Sequence, residues 1–221
     1  MTSENPTVAL VAIVRDEEAV IGRWAAHVNE ARDTFSEVVA VDGGSSDRTV
    51  ERLRAAEIPV IVNPFADDFA HQRNFAIALT EADWIFELDA DELMSAPLRD
   101  TLLKIVAVAV RSRIDCIGIP RLNFHNIAPA GADEEYVLQA GVGHGGVDYQ
   151  YRLHHRSVAW RNRVHEETTG YTRRIELDID DGCFLIHRKD AARHAARNRY
   201  YAQIAAGLAG GKPEDDPEGG V

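Results

Sequence analysis

The stretch "ADWIFELDADELM" (Ala82–Met94) begins as a strand and ends as a cluster of acids. Trp84, Ile85, Phe86 and Leu88 make an apolar run of the kind a sheet buries, and Asp89, Asp91 and Glu92 follow at once. Asp89 and Asp91 lie two apart, so an extended segment turns both to one side. Two carboxylates facing the same way repel unless a cation or cationic partner sits between them. Oxygen-only ligands beside phosphates favour a hard ion, magnesium or manganese, completed by waters and substrate oxygens. A bound diphosphate would account for this arrangement. A solvated turn, where Asp is common, accounts for the triplet taken alone.

Upstream, strand and helix patterns alternate. "TVALVAIV" is apolar on both faces, as inside a parallel sheet. Val20, Ile21, Trp24, Ala25, Val28 and Ala31 then repeat at helical spacing between Glu17 and Arg32. "EVVAVD" is a second strand, followed by the loop "GGSSDRT", in which Ser46 or Asp47 can cap a helix carrying Val50 and Leu53. "PVIVN" is a third strand, 69–79 a third helix, "WIFEL" the fourth strand and 97–110 a further helix with Pro97 in its first turn. Four alternations in about 110 residues predict a parallel α/β sheet with right-handed crossovers. Ligands bind such sheets beyond the carboxyl ends of the strands, where Arg15 and Asp16, Asp42 to Asp47, and Asp89 to Glu92 all fall.

The second half is less regular. "CIGIPRLNF", "YQYRLHH" and "IELDIDDGCFLIH" read as strands, 127–146 as a long glycine-containing loop and 189–206 as a helix. On that helix Lys189, Arg193 and Arg197 would form one basic stripe, either a solvated face or a contact for an anionic acceptor or a membrane surface. The 221 residues are 45% hydrophobic, enough for a buried core, and carry a formal charge of −12, which argues against wholesale binding to nucleic acid or anionic lipid. Cys116 and Cys183 sit among apolar neighbours and read as reduced, buried thiols. No apolar run is long enough to cross a bilayer and no secretory signal is recognisable, so a cytoplasmic protein without a transmembrane segment is expected.

The motifs "VAIVRDEEAVIGRW", "EVVAVDGGSSDRTVE", "FAHQRNFAIA", "DWIFELDADE", "YQYRLHHRSVAWRNRVHEE" and "FLIHRKD" resemble, in order, those of glycosyltransferase family two. They look most like the short bacterial members related to lipooligosaccharide β-1,4-glucosyltransferases. Two other classes with paired aspartates match less well: haloacid-dehalogenase-like phosphatases place the pair after the first strand, and sugar nucleotidyltransferases need a Gly-rich basic loop that "VRDEEAVIGRW" does not supply. The resemblance implies a GT-A fold, a Rossmann-like, mostly parallel central sheet flanked by helices with a smaller acceptor-side β region. Residues 1–205 would form a single domain, with 1–110 for the nucleotide sugar, 111–205 for the acceptor, and 206–221 as a disordered tail. In "WRNRVHE", Asn162 and Arg163 stand where relatives usually carry Gly, implying a remodelled acceptor side.

The resemblance also implies roles. Val14 and Arg15 flank the base of a nucleoside diphosphate sugar, Asp42 accepts hydrogen bonds from the base or ribose, and Gly43 and Gly44 let backbone approach the ligand. Arg73 reaches a phosphate or the base, Asp89 with Ala90 contacts ribose or metal, and Asp91 ligates a divalent ion (Mn2+ or Mg2+) that His187 completes. Glu166 is the expected base of an inverting transfer, with a salt bridge to Arg161 or Arg163 as the structural alternative and Asp148 as the reserve base. His154 and His155 are adjacent, so a strand sends them to opposite faces and they read as structural. The expected activity is hexose transfer from a nucleotide sugar, UDP-hexose first, to an acceptor left open: a glycan, lipid-linked sugar, peptide or natural product. A nucleotide-sugar hydrolase or pyrophosphatase, and a nucleotide-binding module without turnover, are the alternatives.

Overall fold

The computed structural model describes residues 6–126, 135–138, 147–189 and 191–207, with side chains of the last segment from residue 198 onward. The first 110 residues follow the sequence pattern closely. Strands β1 (Val8–Val14), β2 (Glu37–Asp42), β3 (Val60–Val62) and β4 (Trp84–Glu87) alternate with helices α1 (Glu18–Glu30), α2 (Thr49–Ala55) and α3 (Phe69–Ala78). All four strands are parallel, in the order β3-β2-β1-β4, so the chain reverses its direction of growth at β1. Such a switch point opens a crevice beyond the strand ends.

Local chemistry sets the helix starts. Asp68 caps α3 by accepting the His71 amide at 2.8 Å. Asp47 accepts the Thr49 amide at the start of α2 and, through its other oxygen, the Glu18 amide of α1 at 3.0 Å, so one carboxylate serves two helix ends. Helix α4 (Ala96–Arg111) is capped by Ser95 and has Pro97 in its first turn.

The remaining strands are β5 (Glu92–Met94), β6 (Cys116–Asn126), β7 (Tyr136–Leu138), β8 (Asp148–His155), β9 (Ala159–Arg161), β10 (Glu167–Thr169), β11 (Arg174–Glu176) and β12 (Leu185–Lys189), before α5 (Ala191–Ala205). Among the described residues the main sheet runs β3-β2-β1-β4-β8-β6-β12-β5, with β7 and β11 paired to β6 off that path, while β9 and β10 form a separate hairpin. Strand β8 enters antiparallel to β4, which makes the sheet mixed. The order forces curvature. Strands β4 and β5 are separated by four steps, which in a flat sheet means about 19 Å at ~4.8 Å per step. Yet a turn closed by the Glu92 amide on the Asp89 carbonyl joins them, and such turns keep their ends within about 7 Å. The sheet therefore rolls, and the acidic triplet is the hinge of the roll.

The core lies on both faces. Leu10, Trp24, Phe86, Leu98 and Leu102 fill one side, while Ala9, Val11, Val41, Ile85 and Ala76 fill the other beneath α3. Both cysteines are free and buried, as their apolar surroundings suggest. Three expectations need correction. "IELDIDDGCFLIH" is two strands, β11 and β12, separated by a 3-10 turn at Ile179–Asp181, because the acidic run cannot continue a buried ladder. Lys189 ends β12 and does not begin a helix, so it cannot share a helical stripe with Arg193 and Arg197, whose side chains lie outside the described residues. The long loop contains β7; the rest of 127–146, and 208–221 of the tail, lie outside the described residues. Among the described residues no helix is long and apolar enough to cross a membrane.

Candidate active site

The ends of β1 and β2 are laced by their own loops. Val14 pairs with Asp42 in register, and the Gly43 amide donates to the Val14 carbonyl at 2.8 Å. Asp42 is buried; its Oδ2 accepts the amides of Gly44 and Ser45, both at 2.9 Å, and its Oδ1 accepts the Ser45 hydroxyl. Gly44 has φ +94, a conformation that side chains resist, and a Cβ on Gly43 would lie 3.1 Å from Phe65 Cβ. Gly43 thus answers to packing by Phe65 and the Arg15 stem. Asp16, at φ +53, accepts the Ser46 amide at 2.8 Å and so ties this loop to the one after β1.

Beyond β4 the acids meet arginines instead. Arg73, on α3, is buried; its Nη1 donates to Glu87 at 2.9 Å and Asp89 at 3.1 Å, and its Nε donates to Glu166 at 3.1 Å. Arg152, on β8, donates through both terminal nitrogens to Asp89 and lies 3.9 Å from Glu92. Arg121, on β6, donates to Glu92 at 3.0 Å and to Asp148 at 2.9 Å. Asn123 donates to Asp148 at 3.1 Å and presents its carbonyl to His187 Nδ1 at 2.8 Å, while His187 Nε2 lies 3.2 Å from Asp91. An unbroken polar chain therefore links Glu166, Arg73, Asp89, Arg152, Glu92, Arg121, Asp148, Asn123, His187 and Asp91.

Electrostatics follow from that chain. Burial pushes the Asp89 carboxyl up, but Arg152 and Arg73 override it and hold it well below the usual carboxylate range. Burial likewise opposes ionisation of Glu87 and Asp148, and Arg73 and Arg121 respectively reverse the sign. Beneath Arg73, Glu87 also meets His154 Nε2 at 3.0 Å and the Trp160 indole N–H, and the Trp160 ring lies 5.3 Å from the Arg73 guanidinium. His154 is thus a buried structural partner, whereas His155 meets the Ser157 hydroxyl.

The Asp91–His187 contact has a definite chemistry. Asp148 accepts from the Asn123 amide, so the Asn123 carbonyl must face the ring, and His187 Nδ1 must carry a proton. A neutral His187 then turns the Nε2 lone pair toward an Asp91 oxygen. Two acceptors face each other, and only a cation reconciles them, a proton on the ring or a metal ion. The pair thus suits a divalent ion, with His187 oriented through Asn123. Among the described residues no group of three or more His, Cys, Asp and Glu side chains surrounds one point. Asp89 faces the two arginines, and Ala90 is buried at the turn between the aspartates.

Glu166 does not pair with the arginines beside it in sequence: Arg161 meets Glu167, and Arg163 donates to the Asp67 carbonyl. The turn that carries Glu166 places Asn162 at φ +73 and His165 at φ +53, and Asn is among the few residues other than Gly that accept this conformation readily. That explains how the glycine of the motif is replaced. The expectations missed Glu87, Arg121, Asn123 and Arg152, and named Glu92 in the acidic triplet without giving it a role. Alternation held the signal for two of them: Glu87 lies two before Asp89, and Arg152 lies two before His154.

Comparison with known proteins bears on the family and the fold. The chain is 26% identical over 179 residues to the SPbeta prophage-derived glycosyltransferase SunS of Bacillus subtilis (strain 168), covering 80% of this chain and 38% of SunS. It is 32% identical over 113 residues to an uncharacterized glycosyltransferase of Rickettsia bellii, covering 51% of this chain and 37% of that one. It thus spans well under half the length of these relatives, and neither carries the name of a lipooligosaccharide glucosyltransferase. The fold is similar to S. aureus TarS 1–349, solved in complex with UDP-GlcNAc, at a TM-score of 0.53 and 17% identity, over 83% of this chain and 58% of TarS. This is the helix-flanked GT-A arrangement expected of the sequence. The family model described as Glycosyl transferase family 2 matches residues 10–195, most of the 221-residue chain: the chain belongs to glycosyltransferase family 2.

Proposed function

We propose that the chain is a metal-dependent, inverting glycosyltransferase that moves a hexose from a nucleoside diphosphate sugar to an acceptor nucleophile. The observation that carries this reading is the Asp91–His187 pair, a carboxylate oxygen and an imidazole nitrogen 3.2 Å apart, with the ring oriented by Asn123. A uridine nucleotide is taken as the donor by fold-level analogy with TarS. In this reading Val14, Arg15, Asp42, Gly43 and Gly44 line the base and ribose end, and Arg73, Asp89 and Ala90 form the floor beneath the sugar and diphosphate.

Glu166 takes the proton of the acceptor hydroxyl as its oxygen attacks the anomeric carbon, and the bond from that carbon to the diphosphate oxygen breaks with its electron pair on the leaving nucleotide. Attack opposite the departing diphosphate inverts the anomeric centre. Glu166 suits the role better than Asp148. It receives one donor from Arg73, whereas Arg121, Asn123 and Gln150 all donate to Asp148 and lower its basicity. A divalent ion at Asp91 and His187, when bound, neutralises diphosphate charge and makes the nucleotide a better leaving group. Arg73 orients the base while its own charge is absorbed by Glu87 and Asp89.

Thermal melting with UDP, GDP, ADP and CDP, each with Mn2+ or with chelator, tests the reading. Ligand at about 100 times its dissociation constant is expected to add about 2.7 kcal/mol with Mn2+ and little without it. Equal stabilisation in chelator overturns the metal-bridged site. Donor consumption at the same rate with and without any acceptor favours a hydrolase.

A further inference from the structure

We infer that Tyr200 of α5 is a positioning residue of the donor site, holding the Arg15 guanidinium at the β1–β2 crevice by bridging it to Asp67. The inference rests on the nucleotide-donor reading above and adds a residue from the far end of the chain to it. The Tyr200 phenol donates to Asp67 Oδ1 at 2.6 Å and accepts from Arg15 Nη1 at 3.3 Å. A phenol has one proton, so once that proton goes to Asp67 its oxygen can meet Arg15 only as an acceptor. The bridge thus has a single polarity. Burial and the Asp67 carboxylate push the Tyr200 hydroxyl up to about 12, so it stays protonated across the working range.

Aromatic packing fixes where the phenol stands. Tyr200 is 6% exposed and its ring lies 6.4 Å from Phe65, the residue whose Cβ closes on Gly43. Phe65 packs on Phe69 at 4.6 Å, Phe69 on Tyr201 at 5.1 Å, and Tyr201 on His165 at 6.4 Å. His165 precedes Glu166. Helix α5 is therefore clipped at one tyrosine to the nucleotide crevice and at the next to the segment that carries the proposed base. Arg15 supplies a second, independent observation. Its Nε is buried without a hydrogen-bond partner, and the Asp16 carboxylate stands 4.0 Å away. With Nη1 pinned by Tyr200, that leftover donor is held in one direction, suited to an acceptor oxygen of the nucleotide.

The test is calorimetric titration of UDP, GDP, ADP and CDP, each with Mn2+, into the full chain and three variants. Tyr200→Phe keeps the ring and its packing and deletes only the bridge. Tyr151→Phe is the control, because it deletes a comparable phenol–carboxylate bond, to Glu176, remote from the crevice. Arg15→Met removes the group through which Tyr200 acts. Tyr200→Phe is expected to weaken the nucleotide that binds wild type best by about tenfold, as for loss of one hydrogen bond to a charged group. Tyr151→Phe should leave that affinity unchanged, and Tyr200→Phe should add no further loss in the Arg15→Met background. Affinity of Tyr200→Phe within twofold of wild type overturns the inference while leaving the donor reading intact. Additive losses in the double variant also overturn it, since Tyr200 would then act independently of Arg15. If no nucleotide binds wild type, the donor reading fails and the inference falls with it.

Discussion

Asp16, Asp42 and Asp47, near the ends of β1 and β2, are held by backbone amides and hydroxyls of neighbouring loops. Glu87, Asp89, Glu92 and Asp148, on and beyond β4, β5 and β8, are held by arginine side chains. The two sets look alike as sequence, acids at strand ends. The first set is bonded to the chain's own backbone and builds a rigid rim. The second is balanced charge against charge by side chains from α3, β6 and β8. The rim shapes the crevice; the ionic chain can do chemistry in it.

Substitutions on the two sides therefore differ in kind. The largest effect belongs to Glu166→Gln. It keeps the Arg73 contact but cannot accept a proton, so turnover should fall by about 10² to 10⁴ while nucleotide affinity stays within a few-fold. Steady-state rates beside nucleotide titration check it. If Asp148→Asn silences turnover and Glu166→Gln does not, the base lies elsewhere on the ionic chain.

Arg73→Met comes next. It takes the buried cation from Glu87 while Asp89 keeps Arg152, and breaking a buried pair in this way costs about 3–5 kcal/mol. Urea unfolding at equilibrium reads that loss directly. On the rim, Asp42→Ala should be milder, about 1–3 kcal/mol, because amides near the loop surface recover some bonding to water. A larger loss for Asp42→Ala than for Arg73→Met would reverse the comparison.

The smallest effect is a pH dependence away from both sets. His27 Nε2 accepts the Met94 amide at 3.0 Å, and burial lowers its pKa below the ordinary 6.5. The unfolded chain then binds the proton more readily than the folded one. His27's contribution is therefore complete above about pH 6.5 and is lost as pH falls from there through the lower folded value. Unfolding free energy measured between pH 8 and 5 should decline in wild type more than in His27→Gln.

Much of this was legible in the sequence because the first 110 residues obey local rules. Val8–Val14 is apolar on both faces, Val20 to Ala31 keeps helical spacing, and Asp47 accepts an amide at the start of α2. The second half was harder. "IELDIDDGCFLIH" could be divided only by knowing that β11 and β12 both pair with β6. The roll of the sheet follows from the pairing of Glu92 with His187, a contact between residues 95 positions apart that no local pattern records. Individual site residues were visible as types, yet their partners were not: Arg121, Arg152 and Tyr200 read as ordinary strand and helix residues until the fold brings them to Glu92, Asp89 and Arg15.

The most direct test of the account is Mn2+ titration in the presence of UDP, on wild type, Asp91→Asn and His187→Gln. Asp91 and His187 meet at 3.2 Å in the polar chain, so the account predicts saturable binding in wild type and a loss of at least about tenfold in each variant. Mn2+ affinity that is the same in wild type and Asp91→Asn would contradict it.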